Sequence, residues 1–174
     1  MLFSDFLITL DFANFKLILG PLPGGLPDRE RTHDRVISPE LVGFTPVFRI
    51  GHTLLVRTRI SDFGPVLFVL DTGASTTLIS KKAAAEATKV SADNSVILKG
   101  LSGRVKDVAQ ADELYLQFAG FRQKHLGMMA FDLDDTSKNT GIEISGLLGL
   151  PLLHLFTITI DYPDGMVKFE YKPL

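Results

Sequence analysis

One carboxylate stands out by its position. Asp71 ends the apolar run Pro65-Val66-Leu67-Phe68-Val69-Leu70 and is followed by Thr72, Gly73, Ala74 and Ser75. Six apolar or proline positions in a row predict a strand buried on both faces. A charge at the end of such a strand needs a reason. A carboxylate can take a proton from water or return one to a substrate. Thr72 can donate or accept a hydrogen bond, and Gly73 allows a close backbone approach or a positive φ. Taken alone, however, Asp-Thr-Gly is also an ordinary turn.

Other chemistries find little footing in these residues. The chain of 174 residues has no cysteine, which excludes disulfides, thiol nucleophiles and thiolate metal sites but leaves the redox compartment open. His33, His52, His125 and His154 have no metal-ligand spacing, so core or surface roles are expected and no metal or cofactor is implied. Asp132-Leu133-Asp134-Asp135 with Glu143 imitates part of a calcium-loop spacing, yet Ser137 stands where the turn glycine belongs, and the run reads as a solvated loop. Gly146-Leu147-Leu148-Gly149 lacks the first glycine of a dinucleotide fingerprint. A net charge of −2 and a pI near 6.1 give no basic footprint for nucleic acid. No apolar run reaches the length of a membrane span, and Asp5 and Asp11 stand where a signal peptide would carry Lys or Arg.

The elements that must hold Asp71 are mostly β. Val47 to Ile50 and Leu54 to Ile60 read as strands around Gly51-His52, with Arg57 and Arg59 marking one wet face. Thr76 to Ile79 is a β-branched run leading away from the Asp-Thr-Gly turn, and Ser80 is a fitting N-cap for a short helix over Lys81 to Ala87. Gly100-Leu101-Ser102-Gly103 reads as a hairpin tip between Val96 to Lys99 and Val105 to Val108. Ala111 to Phe118 and Phe121 to Ala130 read as an antiparallel pair across Ala119-Gly120.

Two further stretches bear on domain organisation. Phe6-Leu7-Ile8-Thr9-Leu10-Asp11-Phe12 aligns with Phe156-Thr157-Ile158-Thr159-Ile160-Asp161-Tyr162, and each is followed by a short turn and another apolar strand. An internal repeat is the expected reading. Between them, residues 21–43 carry Pro21, Pro23, Gly24, Gly25, Pro27 and the charged run Asp28-Arg29-Glu30-Arg31, the composition of a linker.

Leu70 to Ser75 resembles the signature of the retropepsin-like (retroviral-type) aspartic proteases: two apolar residues, Asp-Thr-Gly, then Ala or Ser and small polar residues. Leu147-Leu148-Gly149 before a short helix from Leu150 resembles that family's second feature, an apolar pair and glycine running beneath the Asp loop. The resemblance covers about residues 44–172, and in kind it is closest to a bacterial tandem-lobe protein whose first lobe is truncated here. It implies a mainly β, closed β-barrel-like acid protease lobe with one or two short helices. It also implies a catalytic Asp71 supported by Thr72 and Gly73, substrate contacts at Ala74 and Ser75, and a flap at Gly100, Leu101, Ser102 and Gly103.

The expected domains are therefore a trailing hairpin of an incomplete upstream lobe at 1–20, a linker at 21–43 and the protease domain at 44–174. The expected function is aspartic endopeptidase action on polypeptide, with no cofactor. One Asp-Thr-Gly is half of what this chemistry requires, because two carboxyls must share one proton. The second carboxylate must come from a homodimer mate or from an upstream lobe. A catalytically silent module for dimerisation or peptide binding is the alternative reading.

Overall fold

The computed structural model describes residues 3, 5–23, 42–92, 98–100, 103–105 and 108–172. Its strands are β1 (Leu7–Asp11), β2 (Lys16–Gly20), β3 (Phe44–Pro46), β4 (Phe48–Ile50), β5 (Thr53–Ile60), β6 (Phe63–Leu70) and β7 (Leu78–Ser80). After helix α1 (Lys81–Ala87) come β8 (Val90–Ala92), β9 (Leu98–Gly100), β10 (Gly103–Val105), β11 (Ala109–Ala111), β12 (Leu114–Phe118), β13 (Phe121–His125) and β14 (Met128–Phe131). Helix α2 (Asp134–Thr140), β15 (Gly146–Leu148), α3 (Leu150–Leu153), β16 (Phe156–Asp161) and β17 (Met166–Tyr171) complete the order. Two compact units result, one of Met1–Leu54 with Leu152–Leu174 and one of Leu55–Pro151.

The unit Leu55–Pro151 is a curled half-barrel sheet running β13-β12-β5-β6-β15-β7-β14-β11-β8. Alternation writes this sheet's two faces. Val56, Thr58 and Ile60 are buried while Arg57 and Arg59 between them are exposed. Leu114, Leu116 and Phe118 of β12 point to the same core. The β12–β13 hairpin turns at Ala119 and Gly120, both at positive φ (48° and 80°), as a two-residue turn matched to strand twist demands.

Three expectations change in detail. The apolar run before Asp71 is the central strand β6, but only Phe68 is fully buried, Pro65 is exposed and the rest is half-buried. Apolar composition marks a central strand; burial depends on what packs on each face. The stretch from Ala111 to Ala130 is not one long hairpin, because β12 and β13 pair with each other while β11 and β14 pair separately. The acidic run is not a loop: Asp134 to Thr140 form α2, with Asp134 and Asp135 in its first turn and Gly141 ending it at φ 72°. No α2 residue is buried, so the helix leaves no apolar period in the sequence, and its signals are the dipole-favoured acids and the glycine stop.

Helix α1 forms as read. The Ala83 N–H donates to Ser80 Oγ at 3.1 Å, a cap contributing typically about 1 kcal/mol. Ala83 and Ala84 turn inward, and the short side chains let the helix sit close.

The other unit is a sheet ordered β2-β1-β16-β17-β3. The N-terminal hairpin expected from Phe6 to Leu19 is β1–β2, and its counterpart β16–β17 carries a fully buried β16. β1 and β16 pair antiparallel with Thr9 opposite Thr159, whose hydroxyls meet at 3.2 Å. Most of the linker expected at 21–43 lies outside the described residues. Among the described residues no helix is long and apolar enough to cross a membrane.

Candidate active site

Asp71 sits where β6 ends and the chain loops over to β7. The strand beneath this loop is β15, which enters between the two arms, parallel to β6 (Leu147 beside Val69, Leu148 beside Leu70) and antiparallel to β7 (Leu147 beside Leu78). The apolar pair predicted to run under Asp71 does so. The Asp71 N–H donates to Leu148 O at 3.1 Å, and the Leu150 N–H donates to Ala74 O at 2.9 Å. The Gly149 N–H donates to Thr77 Oγ1 at 3.1 Å. One bond below the aspartate and two beyond it thus tie the loop to β15 and its exit.

The glycines follow from this closeness. A Cβ on Gly149 would meet the carbonyl of Thr76, and one on Gly146 would meet the Phe68 ring and the Leu78 carbonyl. Both neighbours of Gly149 are backbone and cannot swing aside. Gly73 is needed for a milder reason: its N–H donates to Asp71 Oδ1 at 2.9 Å, and a Cβ there would stand 3.3 Å from that oxygen. Its φ is not in the left-handed region, so of the two reasons offered by the sequence the close approach is the operative one.

The carboxylate is half-buried, one oxygen is held by the Gly73 amide, and the loop presents Thr72, Gly73 and Ser75 to solvent. Ala74 is half-buried, and the Thr72 hydroxyl has no partner among the described residues. Gly100 and Gly103 pair across the β9–β10 hairpin, which forms a two-stranded sheet of its own. Leu101 and Ser102 at its tip lie outside the described residues. Sequence reading missed Thr77, whose side chain ties the loop to Gly149; its signal was a hydroxyl at the start of a β-branched run.

Of the histidines weighed above, His33 lies outside the described residues. No group of three His, Asp or Glu that could hold a metal occurs among the described residues. His125 on β13 has a buried Nε2 without a hydrogen-bond partner, and burial holds its pKa below 6.5. Because the folded value is the lower one, the unfolded chain takes up the proton first as pH falls through about 6.5. Stability from this group is complete above that pH and declines as pH falls toward the folded value. His125→Gln is expected to flatten the dependence of the denaturation midpoint on pH below about 6.5, and an unchanged slope would contradict that.

A β lobe whose Asp-Thr-Gly loop is threaded by an apolar strand ending in glycine has the architecture of the aspartic proteinases. A family model described as Aspartyl protease matches residues 56–152, and the chain belongs to that family. Among solved structures, the crystal structure of an aspartic proteinase from Irpex lacteus aligns at a TM-score of 0.46 and 16% identity, covering 75% of this chain and 46% of that one. The chain thus spans less than half the length of that structure. No curated protein matches it.

Proposed function

We propose that the chain carries one half of an aspartic endopeptidase site, hydrolysing peptide bonds with a water activated by Asp71 and a second Asp carboxylate from another subunit or lobe. Two carboxyls about 3 Å apart cannot both ionise, so one is a base while the other stays protonated. The ionised group takes a proton from water as the water oxygen attacks the scissile carbonyl carbon. The protonated group gives its proton to the carbonyl oxygen. As the resulting gem-diol collapses, the carboxylate that is now ionised takes a proton from one of its hydroxyls, the C–N bond breaks, the departing nitrogen takes the proton held by the other carboxyl, and the pair returns to its starting charge without a covalent intermediate.

The observation that carries this reading is the clamp on Asp71. The backbone is fixed to Leu148, one side-chain oxygen is fixed to the Gly73 amide, and the carboxylate remains half-exposed. A structural aspartate would be expected to spend both oxygens on protein donors. Thr72 and Gly73 support the aspartate, Ala74 and Ser75 border the substrate, and the Gly100 to Gly103 hairpin, with Leu101 and Ser102, serves as the flap. Residues 44–174 form the lobe, 21–43 the connector and 1–20 the trailing hairpin of another lobe.

A statine-type peptide, whose hydroxyl mimics the gem-diol, tests the reaction class. Competitive inhibition of cleavage of an unstructured peptide is expected, as transition-state mimics bind on the order of 100-fold or more tighter than substrate. Cleavage undiminished at saturating mimic would refute the assignment.

A further inference from the structure

Strands β5, β12 and β13 turn one face of their sheet to solvent, and arginine gathers on it. Arg57 and Arg59 of β5 and Arg122 of β13 are exposed. Gln117 of β12 stands opposite Arg59 on one side and Arg122 on the other, so Arg59, Gln117 and Arg122 form a row across the sheet. Neighbouring strands lie about 4.8 Å apart, which makes the row about 10 Å long, and Arg57, two positions along β5, is about 7 Å from Arg59. These residues border a groove of about 310 Å³ that Pro65 and Phe121 also line. No carboxylate among the described residues lines it.

Like charges gathered on neighbouring strands repel one another, and a wet face kept only for stability pairs them with acids. The next basic residue along β13 shows that arrangement: Lys124 Nζ meets Glu113 Oε2 at 2.8 Å. Arg59 and Arg122 have no such acid among the described residues. Uncharged groups hold them instead. Arg59 donates to Gly64 O at 3.3 Å and to Asp62 O at 3.2 Å, and the Arg122 guanidinium carbon lies 3.9 Å from the centre of the Tyr115 ring. Each contact orients a guanidinium and leaves further N–H donors over. Donors oriented in advance lose less freedom when a ligand takes them.

We propose that this groove is a docking site for an extended acidic segment of a partner polypeptide, with carboxylates at alternate positions. Charge complementarity selects the carboxylate, which the arginine fork binds in bidentate fashion. Spacing selects the extended chain: along a strand, residues i and i+2 point the same way about 7 Å apart, the interval between Arg57 and Arg59. Nucleic acid fits less well. The chain carries a net charge of −2, so a long polyanion is repelled beyond the groove. The Tyr115 face that would stack a base is covered by Arg122. Pro65 lies six positions before Asp71 on the same strand, a distance of about 20 Å. The groove is thus separate from the Asp71 loop, and it holds its partner with or without hydrolysis.

Two fluorescein-labelled peptides of equal composition test this by anisotropy at low salt, one alternating Asp with Ser and one carrying the same Asp residues as a block. The alternating peptide is expected to saturate the protein below about 1 mM and to bind several-fold more tightly than the block. Arg57→Gln and Arg122→Gln should each weaken it by about 10-fold or more, with thermal midpoints showing that the variants fold. Arg122→Lys keeps the charge without the fork and should recover only part of the loss. A peptide with Lys in place of Asp should not bind the unsubstituted protein, a readout that needs no variant to fold. Absence of saturation, equal binding of the two Asp peptides, binding of the Lys peptide or unchanged binding in the Arg57→Gln, Arg122→Gln double variant would overturn the proposal. So would tighter binding of an oligothymidylate of equal charge, which would make nucleic acid the occupant. Self-association of the chain that is lost in the double variant would put a second copy there instead, and would overturn it as well. None of these readouts uses peptidase activity, so they stand or fall apart from the proposed function.

Discussion

Asp71→Asn is expected to lower kcat/KM for an unstructured peptide by roughly 10⁴-fold and to leave the fold intact. Asparagine has nearly the same shape, and its amide oxygen can still accept from the Gly73 N–H. The main-chain bond from residue 71 to Leu148 O does not involve the side chain. Since the carboxylate is only half-buried, its removal strands no deeply buried partner. On the proposed mechanism, what is lost is the ability to take a proton from water and to share one with a second carboxyl. The assay requires wild type and variant at matched purity, with the thermal midpoint of each. Equal activity would assign the hydrolysis to another residue; lost activity with a collapsed midpoint would show Asp71 to be structural.

Gly149→Ala carries the largest expected effect on stability, about 3 kcal/mol. The added methyl would enter the space of the Thr76 carbonyl, with Thr77 N at 3.0 Å, and both belong to the loop that carries Asp71. Relief requires moving β15 or the loop, and either movement breaks the Gly149 to Thr77 and Leu150 to Ala74 bonds. Activity should therefore fall further than stability alone explains. Gly20→Ala is the control: its Cβ would meet only Leu7 O at 4.0 Å, and a change within about 0.5 kcal/mol is expected. Equal denaturation midpoints for the two variants would show that the close approach at Gly149 is not required.

The sequence was most legible where geometry leaves the least choice of residue. Gly146 to Gly149 was found because contacts that tolerate no Cβ leave glycines at fixed places in an apolar run, and Asp71 to Gly73 because a carboxylate followed by Thr-Gly ends an apolar strand. The repeated hairpins were found because Ile8, Thr9 and Asp11 recur as Ile158, Thr159 and Asp161. Their register was not legible: alternation specifies which side chains share a face, not which strand lies opposite. Helix α2 was missed for a different reason. A helix with no buried residue has no apolar period to read. The division of 109–131 into β11 to β14 was hidden because β14 leaves its sequence neighbour to pair with β11 and β7, and such non-local pairing is not written in local pattern.

The threading of β15 between β6 and β7 has a consequence for the order of events during synthesis. β6 and β7 are neighbours in sequence, but β15 can separate them only after residues 81–145 have been made and the chain has returned. Closing so long a loop is slow relative to local hairpin formation. Until Leu148 and Gly149 have left the ribosome, the Asp71 loop lacks every hydrogen bond that β15 and its exit supply. A nascent or C-terminally shortened chain therefore has Asp71 and the Gly73 amide that holds one of its oxygens, but none of the bonds from β15 and its exit that fix the loop itself.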